Sequence, residues 1–263
     1  MVMLSIEGNI GAGKSTLLAA LPRLLPGARL LPEPVDRWRE TGVLGLFYRD
    51  PHRWAYSFQS YAFLSRLRAQ VDASRGASRS EAPLTVLERS VWSDKHVFAA
   101  NCRATGLFAE AAEGAMYDDW HGWLMERAFP AETRLDGIIY LRASPEVCHA
   151  RIAGRARGEE AAIPLTYLQE LHARHERWLI GAFGAEGAEG AEGAFGAPRV
   201  LVIDGDTLDW ANAAAVEALG ARLRVFAAAC AAACGASRDF AADPPRELEV
   251  LREDGDAAGV DRA

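Results

Sequence analysis

The sequence predicts a three-layer α/β fold, a parallel sheet of five strands flanked by helices. Three observations carry that expectation. Short apolar runs alternate with longer segments at helical spacing, the rhythm of βαβ units. The runs are nearly continuous in apolar residues, as strands covered on both faces must be. The first run leads directly into Gly8-Asn9-Ile10-Gly11-Ala12-Gly13-Lys14-Ser15-Thr16, which fits a phosphate-binding loop between a strand and a helix.

That loop sets the chemistry. Glycines let the backbone wrap an anion, and the helix N-terminus behind it supplies partial positive charge. Lys14 adds a full charge, and the Ser15 hydroxyl can reach a Mg²⁺ held by the same phosphates. A nucleoside triphosphate is the expected ligand. The dinucleotide fingerprint is a rival, since Gly11-x-Gly13 is part of it and Glu33 stands where a ribose-binding acid would. Thr16 occupies its third glycine position, however, and Lys14 would have no role.

Composition narrows the setting. At 263 residues and 50% hydrophobic content the chain can bury one substantial core, and a net charge of −7 argues against general nucleic-acid binding. Lys14 and Lys95 are the only lysines among 29 basic residues. Cys102, Cys148, Cys230 and Cys234 form no C-x-x-C pair and read as reduced, buried thiols. With no signal-like segment, presequence or long apolar run, a soluble cytoplasmic protein that spans no membrane is expected.

In chain order, Ser15 to Leu25 has helical spacing, with Pro22 expected to kink it or end it early. Arg29–Leu31 is a short strand that leaves Glu33 at its C-terminal end, the edge where open parallel sheets bind ligands. Pro51 to Ser74 is the longest helix. Trp54, Phe58, Tyr61, Leu64 and Leu67 form its apolar stripe, while Gln59, Ala62, Phe63 and Arg66 share another face able to meet a planar base. Pro83 to Ser90 is a strand ending in Glu88, a Mg²⁺-side acid, followed by Arg89 as an anion or carboxylate clamp. Val91–Ala100 and Met116–Phe129 read as helices, and Asp136–Leu141 as a buried strand. Arg151, Arg155 and Arg157 fall in a Gly-punctuated segment that reads as a lid, about residues 151–162. A helix from Pro164 to about Ile180, a low-complexity insertion over 181–198, a strand at Arg199–Asp204 and an Ala-rich helix from Leu208 to about Ala233 follow. One domain is expected over residues 1–233, with a charged, disordered tail over 234–263.

With these pieces in order, residues 3 to 210 resemble the deoxyribonucleoside kinase family, nearest its deoxycytidine and deoxyguanosine branch. Beside the phosphate loop, the resemblance rests on Glu33-Pro34-Val35-Asp36-Arg37-Trp38, on Phe58 to Arg66, on Glu88 to Asp94, and on Ile163 to Leu168. It implies an arginine-lidded phosphate-loop kinase fold. The implied reaction moves the γ-phosphoryl of ATP, or another triphosphate, with Mg²⁺, to the 5′-hydroxyl of a deoxynucleoside. Residue by residue, it implies Glu33 as general base, Arg89 as its partner on the hydroxyl, and Lys14 with Arg151, Arg155 and Arg157 on the donor phosphates. Ser15 and Glu88 would hold the metal, and Tyr48 and Glu160 the sugar 3′-hydroxyl. Gln59 would meet the base edge, between walls of Trp38, Leu44, Phe47 and Phe98. Arg66 and Asp94 match the pair of the deoxycytidine and deoxypurine branch, while thymidine-preferring members carry smaller or apolar residues there. Trp92 and His96 depart from the tyrosines usual at their positions. The family is usually dimeric, through helices resembling Phe58–Ser74 and Met116–Phe129. A thymidine or broad-specificity kinase, a nucleoside monophosphate kinase and a non-catalytic NTP-binding module are the alternatives; the guanine-reading Asn-Lys-x-Asp of a GTPase is absent.

Overall fold

A computed structural model describes residues 1–76, 84–155, 163–181 and 198–238. Its elements are β1 (Val2–Glu7), α1 (Lys14–Leu24), β2 (Arg29–Leu31), α2 (Val35–Glu40), α3 (Val43–Arg49), α4 (Pro51–Gly76), β3 (Leu84–Glu88), α5 (Val91–Ser93) and α6 (Ala100–Ala104). There follow α7 (Ala111–Trp123), α8 (Pro130–Thr133), β4 (Gly137–Arg142), α9 (Pro145–Arg155), α10 (Leu165–His175), β5 (Arg199–Asp204) and α11 (Ala213–Arg238). The five strands form one sheet in the order β2-β3-β1-β4-β5, and every adjacent pair is parallel. The predicted fold class is thus the observed one.

Alternation along the strands feeds a separate core on each face. Leu4 and Ile6 of β1, with Val86, Ile139 and Leu201, pack under Leu17, Leu21 and Leu24 of α1 and Leu219 and Leu223 of α11. Met3, Leu87, Ile138 and Tyr140 face the other way, onto Val97, Leu171, Trp178 and Leu179. A third cluster, with Trp38, Phe47, Phe58, Phe63 and Tyr117, joins α2, α3, α4 and α7 into a helical wall at one end. Strands β2 and β3 lie on one side of β1, β4 and β5 on the other. The loop after β1 therefore opens where the strand order reverses, at the crevice open α/β sheets use for ligands.

Several local expectations are corrected. α1 runs through Pro22 to Leu24; in the last turn the missing N–H forfeits one bond, and Leu25 N–H still reaches the Leu21 carbonyl at 2.7 Å. Between Glu33 and Pro51, where no element was expected, the chain forms α2 and α3. α7 begins at Ala111, five residues before the expected Met116. Three expected helices continue through π-helical turns, at Asp94–Ala99, Leu124–Ala128 and Glu176–Gly181. The last helix starts at Ala213, where the Asn212 side chain accepts from Ala214 and Ala215 N–H, and it reaches Arg238. On α4, Leu64 of the expected apolar stripe is 52% exposed. Phe63 turns away from Gln59 and Arg66 and stacks on His121. Residues 182–197 of the insertion and 239–263 of the tail lie outside the described residues.

Candidate active site

The phosphate loop is held by contacts to two helices. Gly8, Gly11 and Gly13 all have positive φ. At Gly8 and Gly11 a Cβ would also collide with the carbonyls of Leu141 and Cys148, so these positions need glycine twice over. Asn9 Nδ2 donates to the Leu168 carbonyl at 2.8 Å, clamping the loop to α10. Arg151, on α9, donates to the carbonyls of Ala12 at 3.2 Å and Gly205 at 2.8 Å. Arg151, expected in the lid, therefore ties the loop to the turn after β5. Arg155 closes α9, while Arg157 and Glu160 lie outside the described residues.

Lys14 Nζ donates to the Asn9 carbonyl at 2.8 Å. Burial, and then the neighbouring Arg89, push its ammonium down to about 7. A bound triphosphate would restore the charge, so binding at pH 8 should take up as much as about one proton. Apparent affinity should fall as pH rises above 7, because the neutral amine must first be protonated. Calorimetric titration in two buffers of different ionisation enthalpy measures the uptake. Lys14→Arg, charged throughout, should show none; equal uptake in both proteins would contradict the assignment.

Ser15 Oγ donates to Glu88 Oε1 at 2.5 Å, which brings the two expected metal-side groups together. Among the described residues no cluster of three or more His, Cys, Asp or Glu could cage a metal. A hydroxyl and one carboxylate fit the donor set of Mg²⁺, which keeps several waters and takes one or two protein carboxylates beside substrate phosphates.

Beyond this pair lies a cavity of ≈ 240 Å³, bounded by the loop at one end and the helical wall at the other. Lys14, Ser15, Glu33, Trp38, Leu44, Phe47, Tyr48, Gln59, Arg66, Glu88, Arg89, Asp94 and Phe98 all line it. Its centre is an ionic cluster. Arg66 Nη2 meets Glu33 Oε1 at 3.0 Å, and Arg89 Nε meets the same oxygen at 3.3 Å. Arg66 Nε donates to Asp94 Oδ2 at 2.9 Å, and its Nη1 to the Glu88 carbonyl at 3.3 Å. Burial alone would raise the Glu33 carboxyl, but Arg89, Arg66 and Lys14 more than offset it and hold the group below its ordinary range. Arg66 is likewise disfavoured by burial and held charged by Asp94 and Glu33. An ionised carboxylate with one side facing a cavity can accept a proton from a hydroxyl placed there.

The aromatic walls are fixed by one another. Phe47 and Phe58 stack at 4.8 Å, Trp38 meets Phe58 edge-on at 5.6 Å, and Trp38 Nε1 donates to Ser65 Oγ at 2.8 Å. The Arg66 guanidinium lies 5.4 Å from the Trp38 ring centre, and that of Arg89 lies 4.7 Å from Phe98. Trp92 and His96 do not line the cavity; His96 stacks between Trp92 and Trp178. Sequence reasoning missed Tyr167, Val35, Asp36, Arg39 and Phe58 as lining residues. For Tyr167 the available signal was its place in the first turn after Pro164, at the N-terminal end of α10 beside the loop.

The comparisons with known proteins agree with this arrangement. The family profile described as "Deoxynucleoside kinase" matches residues 4–219. Bovine deoxycytidine kinase is 44% identical over 196 residues, covering 67% of this chain and 75% of the relative. A probable deoxycytidine kinase of fowlpox virus is 41% identical over 176 residues, covering 67% and 71%. The mitochondrial deoxyguanosine kinase of Xenopus laevis is 36% identical over 193 residues, covering 67% and 72%.

Proposed function

The chain belongs to the deoxynucleoside kinase family, and on that premise we propose that it transfers the γ-phosphoryl of ATP, with Mg²⁺, to the 5′-hydroxyl of a deoxynucleoside, preferring deoxycytidine and deoxypurines. The observation that carries this reading is the ionised Glu33, paired with Arg66 and Arg89, in the same cavity as Lys14 and Ser15. Glu33 accepts the 5′-hydroxyl proton while Arg89 holds that hydroxyl beside it. The transferring group is loosely bonded in the transition state, so positioning and charge neutralisation do most of the work. Lys14, with Arg155 and Arg157, neutralises charge on the donor, while Arg151 braces the loop that holds it. Ser15 and Glu88 would hold Mg²⁺, which would supply positive charge against the donor phosphates. Gln59 and the Arg66–Asp94 pair read the base edge between Trp38, Leu44, Phe47 and Phe98, and Tyr48 and Glu160 take the 3′-hydroxyl.

A monophosphate acceptor is disfavoured because both buried arginines of the cavity already face carboxylates. Phosphorus NMR of the product tests the reading. A 5′-monophosphate that forms only with Mg²⁺ present is expected; a diphosphate made from added monophosphate would favour the rival.

The same proposal makes the enzyme a homodimer. Leu64 on α4 and Met116, Trp120 and Trp123 on α7 are 44–62% exposed, a concentration of large apolar side chains that a second copy could cover. Trp120→Glu with Trp123→Glu should halve the mass seen in sedimentation while the folding transition persists. An unchanged mass would remove this face as the interface. The site of action in this reading is the cytoplasm, a reducing compartment in which four buried cysteines outside any disulfide stay as thiols.

A further inference from the structure

One buried acid beside the site has no part in the mechanism above. Glu7 ends β1, directly before Gly8, and is fully buried. Its Oε1 accepts from Ser90 Oγ at 2.7 Å, while its Oε2 is buried without a partner. An apolar side chain would fill the same volume without the cost of burying a carboxyl group, so the core alone does not call for an acid here.

Ser90 follows Arg89, which has φ 64 and is the single non-glycine residue with positive φ among those described. An L-residue adopts that conformation only where its surroundings over-determine it. Strand β1 supplies two such constraints. The Ile6 carbonyl accepts Arg89 N–H at 3.0 Å, and the Glu7 carboxyl holds Ser90. Ser90 and Ser93 close a capping box on the following turn, which fixes the far side. Relaxed to an ordinary conformation, the backbone would swing the Arg89 guanidinium away from Glu33.

We propose that Glu7 is a positioning residue for the acceptor side of the site: by holding Ser90 it fixes the left-handed turn that aims Arg89 at Glu33. This inference rests on the kinase reading of that site. Removing the contact should act on the acceptor and spare the donor. Ser90→Ala and Glu7→Leu should each lower kcat/KM for the deoxynucleoside about 10- to 100-fold. KM for the triphosphate should stay within about twofold, because the phosphate loop keeps its own clamps at Asn9 and Arg151. Glu7→Gln, whose amide oxygen can still accept from Ser90, should recover most of the loss.

Steady-state kinetics with each substrate varied in turn measures the split, and thermal melts identify the folded variants. Should Glu7→Leu fail to fold, Ser90→Ala removes the same contact, and Ser93→Ala, which opens the capping box but spares the Glu7–Ser90 hydrogen bond, controls for the lost cap. Unchanged kinetics in Ser90→Ala, or an equal loss towards both substrates, overturns the proposal. A wild-type enzyme inactive on every deoxynucleoside counts against the kinase reading itself, whereas an active wild type without the split counts against Glu7 alone.

Discussion

Glu33→Gln should lower kcat by about 10²- to 10⁴-fold, the range a positioned general base contributes, and leave the deoxynucleoside dissociation constant within a few-fold. The amide keeps the shape of the carboxylate and can still accept from Arg66 and Arg89, which approach one oxygen at 3.0 and 3.3 Å. It cannot take a proton. Binding depends on the aromatic walls, Gln59 and the Arg66–Asp94 pair; of these only Arg66 touches Glu33, and the amide oxygen keeps that contact. Single-turnover kinetics and equilibrium binding separate the two effects, and near-normal turnover would remove Glu33 as the base.

The second large effect is on base choice. Arg66→Met with Asp94→Ala should shift preference from deoxycytidine towards thymidine. Both charges go together, so neither is stranded in the interior. Each mismatched buried polar group costs about 1–3 kcal/mol, so the ratio of kcat/KM for deoxycytidine over thymidine should fall roughly 5- to 150-fold. The geometry adds a consequence. Arg66 also holds Glu33 and the Glu88 carbonyl, so kcat should drop for every nucleoside while the ratio moves. An unchanged ratio would sink the base-reading role, whatever happens to kcat.

Much of this was legible in the residues because it rests on local rules. Near-continuous apolar runs and the phosphate loop led to a five-stranded parallel sheet, and strand ends led to Glu33 and Glu88. The spacing of Gln59, Ala62 and Arg66 on one helix placed all three in the cavity. Illegible were features decided by tertiary contact. Phe63 obeys the same spacing, yet the stacking partner His121 on α7 draws it to another core. The left-handed backbone at Arg89 has no signature in a residue type that rarely adopts it; β1 imposes it from a distant part of the chain. Arg151, expected over the donor phosphates, serves two backbone carbonyls that only the folded chain brings within reach. The π-helical turns follow the same logic, since periodicity announces a helix and packing decides its pitch.

The most direct test of the central claim is kcat/KM for all four deoxynucleosides with Mg-ATP as donor. Phosphorylation at the 5′ position is expected, with deoxycytidine or a deoxypurine preferred over thymidine by at least about tenfold. Thymidine as the best substrate would contradict the assignment of the Arg66–Asp94 pair, and transfer to none of the four, by a protein that still binds the triphosphate, would contradict the account as a whole.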